Sequence, residues 1–225
     1  MKLTRLNHSG LLFDNGRVKI LVDPFFSESF PGKDIKNEVP SALLNVAPDV
    51  LLITHEHGDH LDMEAVGKIL GETCAPVLVM APERAYQKLV AFGGAHNYVM
   101  MNPHSVWSEF GLTFYAVHAE HTDRTAVGFI IDDGEKTYYV SGDTVYNYDV
   151  IDEVLELVED GVDYAFLPIS GRFTNMNAKD AADFAFEIDA KCAVPVHYGL
   201  FDSVDPESFD FDEKMIILPY ETVEL

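Results

Sequence analysis

Two hydrophobic patterns alternate along this chain: short apolar runs of strand length, and longer stretches whose apolar positions recur every three or four residues. Runs at 3–6, 11–13 and 18–22 predict successive strands, the last two joined by the turn signal Asp14-Asn15-Gly16. Asp23-Pro24-Phe25-Phe26 closes the third, because proline fixes an abrupt exit. Residues 27–40 carry Gly32, Phe30 and several charges without periodicity, which fits either a loop over a site or a plain surface excursion. The next run, 50–53, is Val-Leu-Leu-Ile, apolar at every position as a strand covered on both faces requires.

Helical spacing first takes over after Asp62, a capping residue for a helix from 63 to about 70. A buried strand at 76–80 is followed by Pro82 in the first turn of a helix reaching about residue 92, where Gly93-Gly94 ends it. Strands are expected at 98–101, 106–107, 112–117, 126–132 and 137–141, with an Asp132-Asp133-Gly134 turn before the last. Helices at 150–159 and 178–188 alternate with strands at 164–168, 193–196 and 215–218, and Asn177 caps the second helix. Strands then helices, twice over, imply an α/β chain, residues 1–225, forming one domain of two similar halves divided near residue 105.

Composition narrows the class. With 48% hydrophobic and 24% charged residues in 225 positions, there is ample core for a globular fold. The formal net charge is −23, from 38 acidic and 15 basic side chains, which repels a nucleic-acid backbone. No apolar run reaches membrane-spanning length and the start lacks a signal-peptide core, so a cytoplasmic location is expected. Cys74 and Cys192 are too few for a disulfide framework and read as small buried hydrophobes, as the single Trp107 reads as core. His96 and His104 read as surface loop residues.

The chemistry concentrates behind the run 50–53, in Thr54-His55-Glu56-His57-Gly58-Asp59-His60. Imidazoles and carboxylates are the donors that zinc, manganese and iron accept, and four in one loop can serve one ion or two. If the chain stays extended, His55 and His57 lie on one side and can share an ion, while a turn at Gly58 lets Asp59 and His60 address a second position. Beyond this loop, His121, Asp143 and His197 each follow a predicted strand, where α/β folds put their chemistry. His118 competes with His121.

The loop resembles the His-x-His-x-Asp-His signature of the metallo-β-lactamase superfamily, and the likeness extends over nearly the whole chain. Leu167-Pro168-Ile169-Ser170-Gly171, Met176 and Pro195-Val196-His197-Tyr198-Gly199 are similar to the branch that includes ascorbate-6-phosphate lactonase and many uncharacterised metal-dependent hydrolases. The resemblance implies a four-layer αβ/βα sandwich with two divalent ions, zinc first, with manganese or iron as alternatives. By it, His55, His57 and His121 hold one ion, Asp59, His60 and His197 the other, and Asp143 bridges them. Asp59 and Asp143 are then the catalytic carboxylates, and His118 a second catalytic-site group facing substrate or supporting a ligand. His8, in Asn7-His8-Ser9, is similar to a Gly-His-Ser of the branch, with Asn7 in place of glycine. Asp23 is a candidate for a hydrogen bond from a ligand histidine.

Two ions acidify a shared water to near neutrality and polarise a carbonyl or phosphoryl oxygen, so the expected reaction is hydrolysis of a small, anionic lactone, ester or phosphodiester. Arg172, Asn175 and Tyr198 are further candidates for substrate contact. The competing readings are a nuclease of the same superfamily and a non-hydrolytic metal or redox protein. A small-molecule substrate is the expected partner, without nucleic acid or membrane, and a homo-oligomer stays open.

Overall fold

The computed structural model describes residues 1–33, 35–158 and 160–225. The chain divides into two compact units, Met1–Met100 with Ile217–Leu225, and Met101–Ile216. The excursion at 27–40 and the helix expected at 150–159 each include one residue, Asp34 and Glu159, outside the described set.

The first unit holds strands β1 (Lys2–Arg5), β2 (Leu11–Asp14), β3 (Lys19–Val22), β4 (Val50–Leu52), β5 (Leu78–Ala81) and β6 (Asn97–Met100). With β13 (Thr222–Glu224) they form one sheet in the order β13-β1-β2-β3-β4-β5-β6. Pairing is antiparallel from β13 to β3 and parallel from β3 to β6. Parallel strands cannot be joined by a hairpin, so helices α2 (Met63–Glu72) and α3 (Glu83–Leu89) fill their connections. Helix α1 (Ser41–Leu44) is a single turn before β4. Every residue of β4 and β5 is buried, as their uninterrupted apolar composition requires.

Asp62 anchors the start of α2 more firmly than a cap alone. Its Oδ1 accepts the Glu64 and Ala65 backbone N–H groups, and its Oδ2 accepts those of Phe26 and Ser27 together with the Ser27 hydroxyl. One carboxylate therefore ties the helix to the segment leaving β3. Asp62→Ala strips a cap and leaves the buried Phe26 N–H without this acceptor, so a loss of about 3 kcal/mol is expected. A fall in the urea midpoint at unchanged slope measures it.

The second unit holds β7 (Val106–Glu109), β8 (Leu112–His118), β9 (Val127–Asp132), β10 (Thr137–Val140), β11 (Tyr164–Pro168) and β12 (Ala193–Val196), ordered β12-β11-β10-β9-β8-β7. Strands β7 to β10 are antiparallel and β10 to β12 parallel. Strands β8, β10, β11 and β12 thus run in the same direction, and their carboxyl ends share one edge of the sheet. Helices α4 (Tyr148–Leu157) and α5 (Ala178–Glu187) are capped by the Asn147 and Asn177 side chains. Val150, Ile151 and Val154 of α4 and Ala181, Phe184 and Ala185 of α5 pack into one cluster with Tyr139, Leu167 and Phe209. Burial, and next the charge of Glu153, raise the Tyr139 phenol far above its ordinary range, so it is a neutral core group.

Four expectations change. Residues 215–218 are not a strand: Met215 N–H reaches Ala193 O, and Pro219 then turns the chain through Tyr220, whose φ is +67°. The strand lies later, at Thr222–Glu224, where a polar segment finds an edge on β1; the buried Arg5 holds its approach through Nη1 to Ile217 O at 2.9 Å. Trp107 is 39% exposed because β7 is an edge strand, and of the two cysteines Cys74 is exposed and Cys192 only half-buried. His104 is exposed, as its loop position implies, but His96 accepts from Val77 N–H and donates to Leu70 O, clamping the end of α2 to the start of β5.

Candidate metal centre

The parallel register sets the first group of donors. Val22 lies opposite Leu52, so the exits of β3 and β4 deliver Asp23 and Thr54-His55 to the same place. Asp23, with φ +42°, is buried and accepts Thr54 N–H at 2.8 Å on Oδ1, and the Thr54 hydroxyl at 2.6 Å and His60 Nδ1 at 2.8 Å on Oδ2. Because the Thr54 hydroxyl donates to Asp23, its oxygen is left to accept from His55 Nδ1, 3.0 Å away. One carboxylate thereby fixes two imidazole tautomers, directly for His60 and through Thr54 for His55, and each leaves Nε2 as the lone-pair nitrogen.

The remaining donors of the loop gather around these rings. His55 Nε2 lies 3.1 Å from His57 Nδ1, and the His55 and His60 ring centroids are 4.1 Å apart. The loop turns through His60 and Leu61 N–H to His57 O. Gly58 is not in the left-handed region; its missing side chain instead faces the Phe30 ring, which a Cβ would meet at 3.6 Å, so Phe30 packs beside the histidine loop. Asp59 Oδ2 is 3.1 Å from Nε2 of His8, a buried residue with φ +59°. His8, Asp59 and His60 offer donor atoms within 4.8 Å of one another. His8 is brought there by the 6–10 turn, where Gly10 lets the backbone come close: a Cβ would sit 2.9 Å from Leu6 Cβ and 3.2 Å from Asp23 O. Its sequence signal was the short Asn-His-Ser stretch, which named no partner.

The second unit builds its own group at the carboxyl edge described above. His121 follows β8, Asp143 follows β10 and His197, with φ +56°, follows β12. Asp143 is buried, with Oδ1 3.3 Å from His197 Nε2 and Oδ2 3.7 Å from His121 Nε2. His121 Nδ1 is held by Thr174 O at 3.1 Å and Thr174 Oγ1 at 2.7 Å, which again directs Nε2 outward. Asn175 Nδ2 donates to Asp143 Oδ2 at 2.8 Å. His118, the last residue of β8, is about one-third exposed, with Nε2 3.6 Å from Glu120 Oε2 and its backbone N–H on Glu153 Oε2. Tyr198 is buried in the core cluster of this unit.

The donor set fits divalent ions. Ligands bound at about 2.0–2.1 Å in a tetrahedron lie about 3.3 Å apart, and the His55–His57 and His197–Asp143 separations of 3.1 and 3.3 Å match that edge. The supporting bonds to Asp23 and Thr174 are those that keep imidazole nitrogens basic toward a metal.

The family model of the β-lactamase superfamily domain matches residues 18–198. A UPF0173 metal-dependent hydrolase of Methanopyrus kandleri is 32% identical, the alignment covering 99% of this chain and 96% of that one. Igni18, a metallo hydrolase from Ignicoccus hospitalis, superposes with a TM-score of 0.77 at 24% identity over 99% and 97% of the two chains. CmlA, a diiron β-hydroxylase from Streptomyces venezuelae, matches with a TM-score of 0.76 at 18% identity over all of this chain and 54% of its own. At these identities the two structures establish likeness of fold. The chain belongs to the β-lactamase superfamily, with its mixed α/β fold of two sheets. Its class is that of a metal-dependent hydrolase. No helix among the described residues is long and apolar enough to cross a membrane.

Proposed function

We propose that the chain is a cytoplasmic hydrolase of a small anionic lactone, ester or phosphodiester, acting with two divalent ions, zinc before manganese or iron. His55, His57 and His121 hold the first, Asp59, His60 and His197 the second, and Asp143 bridges them. The pooling of donors from both units, as halves of one domain, rests on superfamily membership and on the order of the motifs. The observation that carries the reading is the carboxylate of Asp143, each of whose oxygens faces a different histidine, an arrangement that suits a ligand shared between two ions.

When bound, the ions supply Lewis acidity and a water acidified to near neutrality. The protein's part is positional. Asp23 and Thr54 lock His55 and His60, Thr174 locks His121, Asn175 fixes the rotation of Asp143, and His8 holds Asp59. His118, partly in solvent beside Glu120, is the group for substrate contact or proton transfer. Two carboxylate ligands against two dications leave the centre net positive, which favours an anionic substrate. The overall charge of −23 opposes the nuclease alternative.

Elemental analysis of the purified chain, with turnover measured on lactones, esters and phosphodiesters, tests this. About two ions per chain are expected, with turnover removed by chelator and restored by zinc or manganese. One iron and no turnover would move the chain to the non-hydrolytic redox reading. Absence of bound metal would overturn the reading.

A further inference from the structure

The loop between β11 and α5 is closed at its base by the bridge Ser170↔Asn177 and by Gly171 N–H to Met176 O. Its inner side is stitched to the metal-ligand segments of the second unit: Thr174 to His121, Asn175 to Asp143, and Met176 N–H to Thr144 O. Its tip is different. Phe173 is 95% exposed, the most exposed large hydrophobic residue among those described, and its φ is +53°.

That combination lacks a folding rationale. An aromatic ring in water contributes almost nothing to the core, and the left-handed region is unfavourable for a bulky side chain where glycine or asparagine would be at ease. Beside it, Arg172 Nε lies 3.8 Å from Asp202 Oδ2, while Asp202 Oδ1 accepts Gly199 and Val204 N–H in the loop that follows His197. The Asp202 side chain is nearly fully buried and that of Arg172 is 43% exposed. Arg172 is thus held between the two loops that flank His121, Asp143 and His197, and its Nη nitrogens carry four further N–H donors.

We infer that residues 170–177 are the substrate-recognition loop of the hydrolase, with Arg172 taking an anionic group and Phe173 the apolar, ring-bearing substituent next to it. The inference rests on the metal-hydrolase reading and sharpens its substrate to an organic anion that carries an aromatic or branched apolar group. Anchoring of the loop base holds the backbone that carries the ring, so little backbone ordering is needed on binding.

Calorimetric titration of the zinc-loaded full chain with phenylphosphonate and methylphosphonate tests it without turnover. The wild type is expected to bind the phenyl compound roughly five to ten times more tightly, the worth of a ring-on-ring contact. Phe173→Ala is expected to bring the two affinities together, with zinc content and melting temperature no lower than in the wild type. Arg172→Gln is expected to weaken both by a similar factor and preserve their ratio. An unchanged ratio in Phe173→Ala, or no preference in the wild type, with zinc still bound, overturns the recognition loop alone. A wild type that binds no zinc overturns the metal reading and this inference with it.

Discussion

Asp143→Asn is expected to lower kcat/KM by roughly 10³-fold or more, about 4 kcal/mol of barrier, and to remove about one ion per chain. The direction follows from the local bonds. Asn175 Nδ2 donates to Oδ2, so an amide at position 143 turns its oxygen to that side and its NH₂ to the Oδ1 side. The NH₂ group then faces His197 Nε2, where it cannot serve as a ligand, while the oxygen still faces His121. The ion on the His197 side is the one lost. The substitution is isosteric and lies past the end of β10, so melting behaviour should change little. Metal analysis, circular dichroism and kinetics in excess zinc measure all three consequences; two ions with full activity would refute the bridging role.

Asp23→Asn acts at a distance from the metal but through a definite path, and a 10- to 100-fold loss of zinc affinity is expected. The amide oxygen at position 23 would keep the Thr54 N–H on the Oδ1 side, which leaves an NH₂ group facing His60 Nδ1 and the Thr54 hydroxyl. Two donors cannot face each other, so His60 must move its proton to Nε2, and the Thr54 hydroxyl must turn toward His55 and shift that ring the same way. Both lone pairs meant for metal are then occupied by protons. Activity should return at high zinc, which separates this variant from Asp143→Asn. Competition against a chromophoric chelator gives the affinities; wild-type affinity would reduce Asp23 to the closing residue of a strand.

The elements most legible in the sequence were those whose pattern is local. Tyr164–Pro168 and Ala193–Val196 are short apolar runs of strand length, and Asn177 stands where a cap must. Strand Thr222–Glu224 was invisible because its only qualification is the unpaired edge of β1, and the run at 215–218 misled because its pairing with Ala193 stops at Met215 and Pro219 and Tyr220 then turn the chain. Trp107 followed the same rule: a large apolar residue suggests core, but an edge strand leaves one side open.

For the site, the sequence by itself determined which donors exist and which strand each one follows, because a loop of His55, His57, Asp59 and His60 behind a buried run is a local statement. Only the tertiary structure decided how those donors are held. His8 meets Asp59 across 51 positions, Asp23 meets His60 across 37, Thr174 meets His121 across 53 and Asn175 meets Asp143 across 32. Each of these bonds depends on sheet register and on the exit angle of a loop, neither of which has a periodicity to read. Imidazole tautomers and carboxylate rotation are set by those bonds, and metal affinity follows from them.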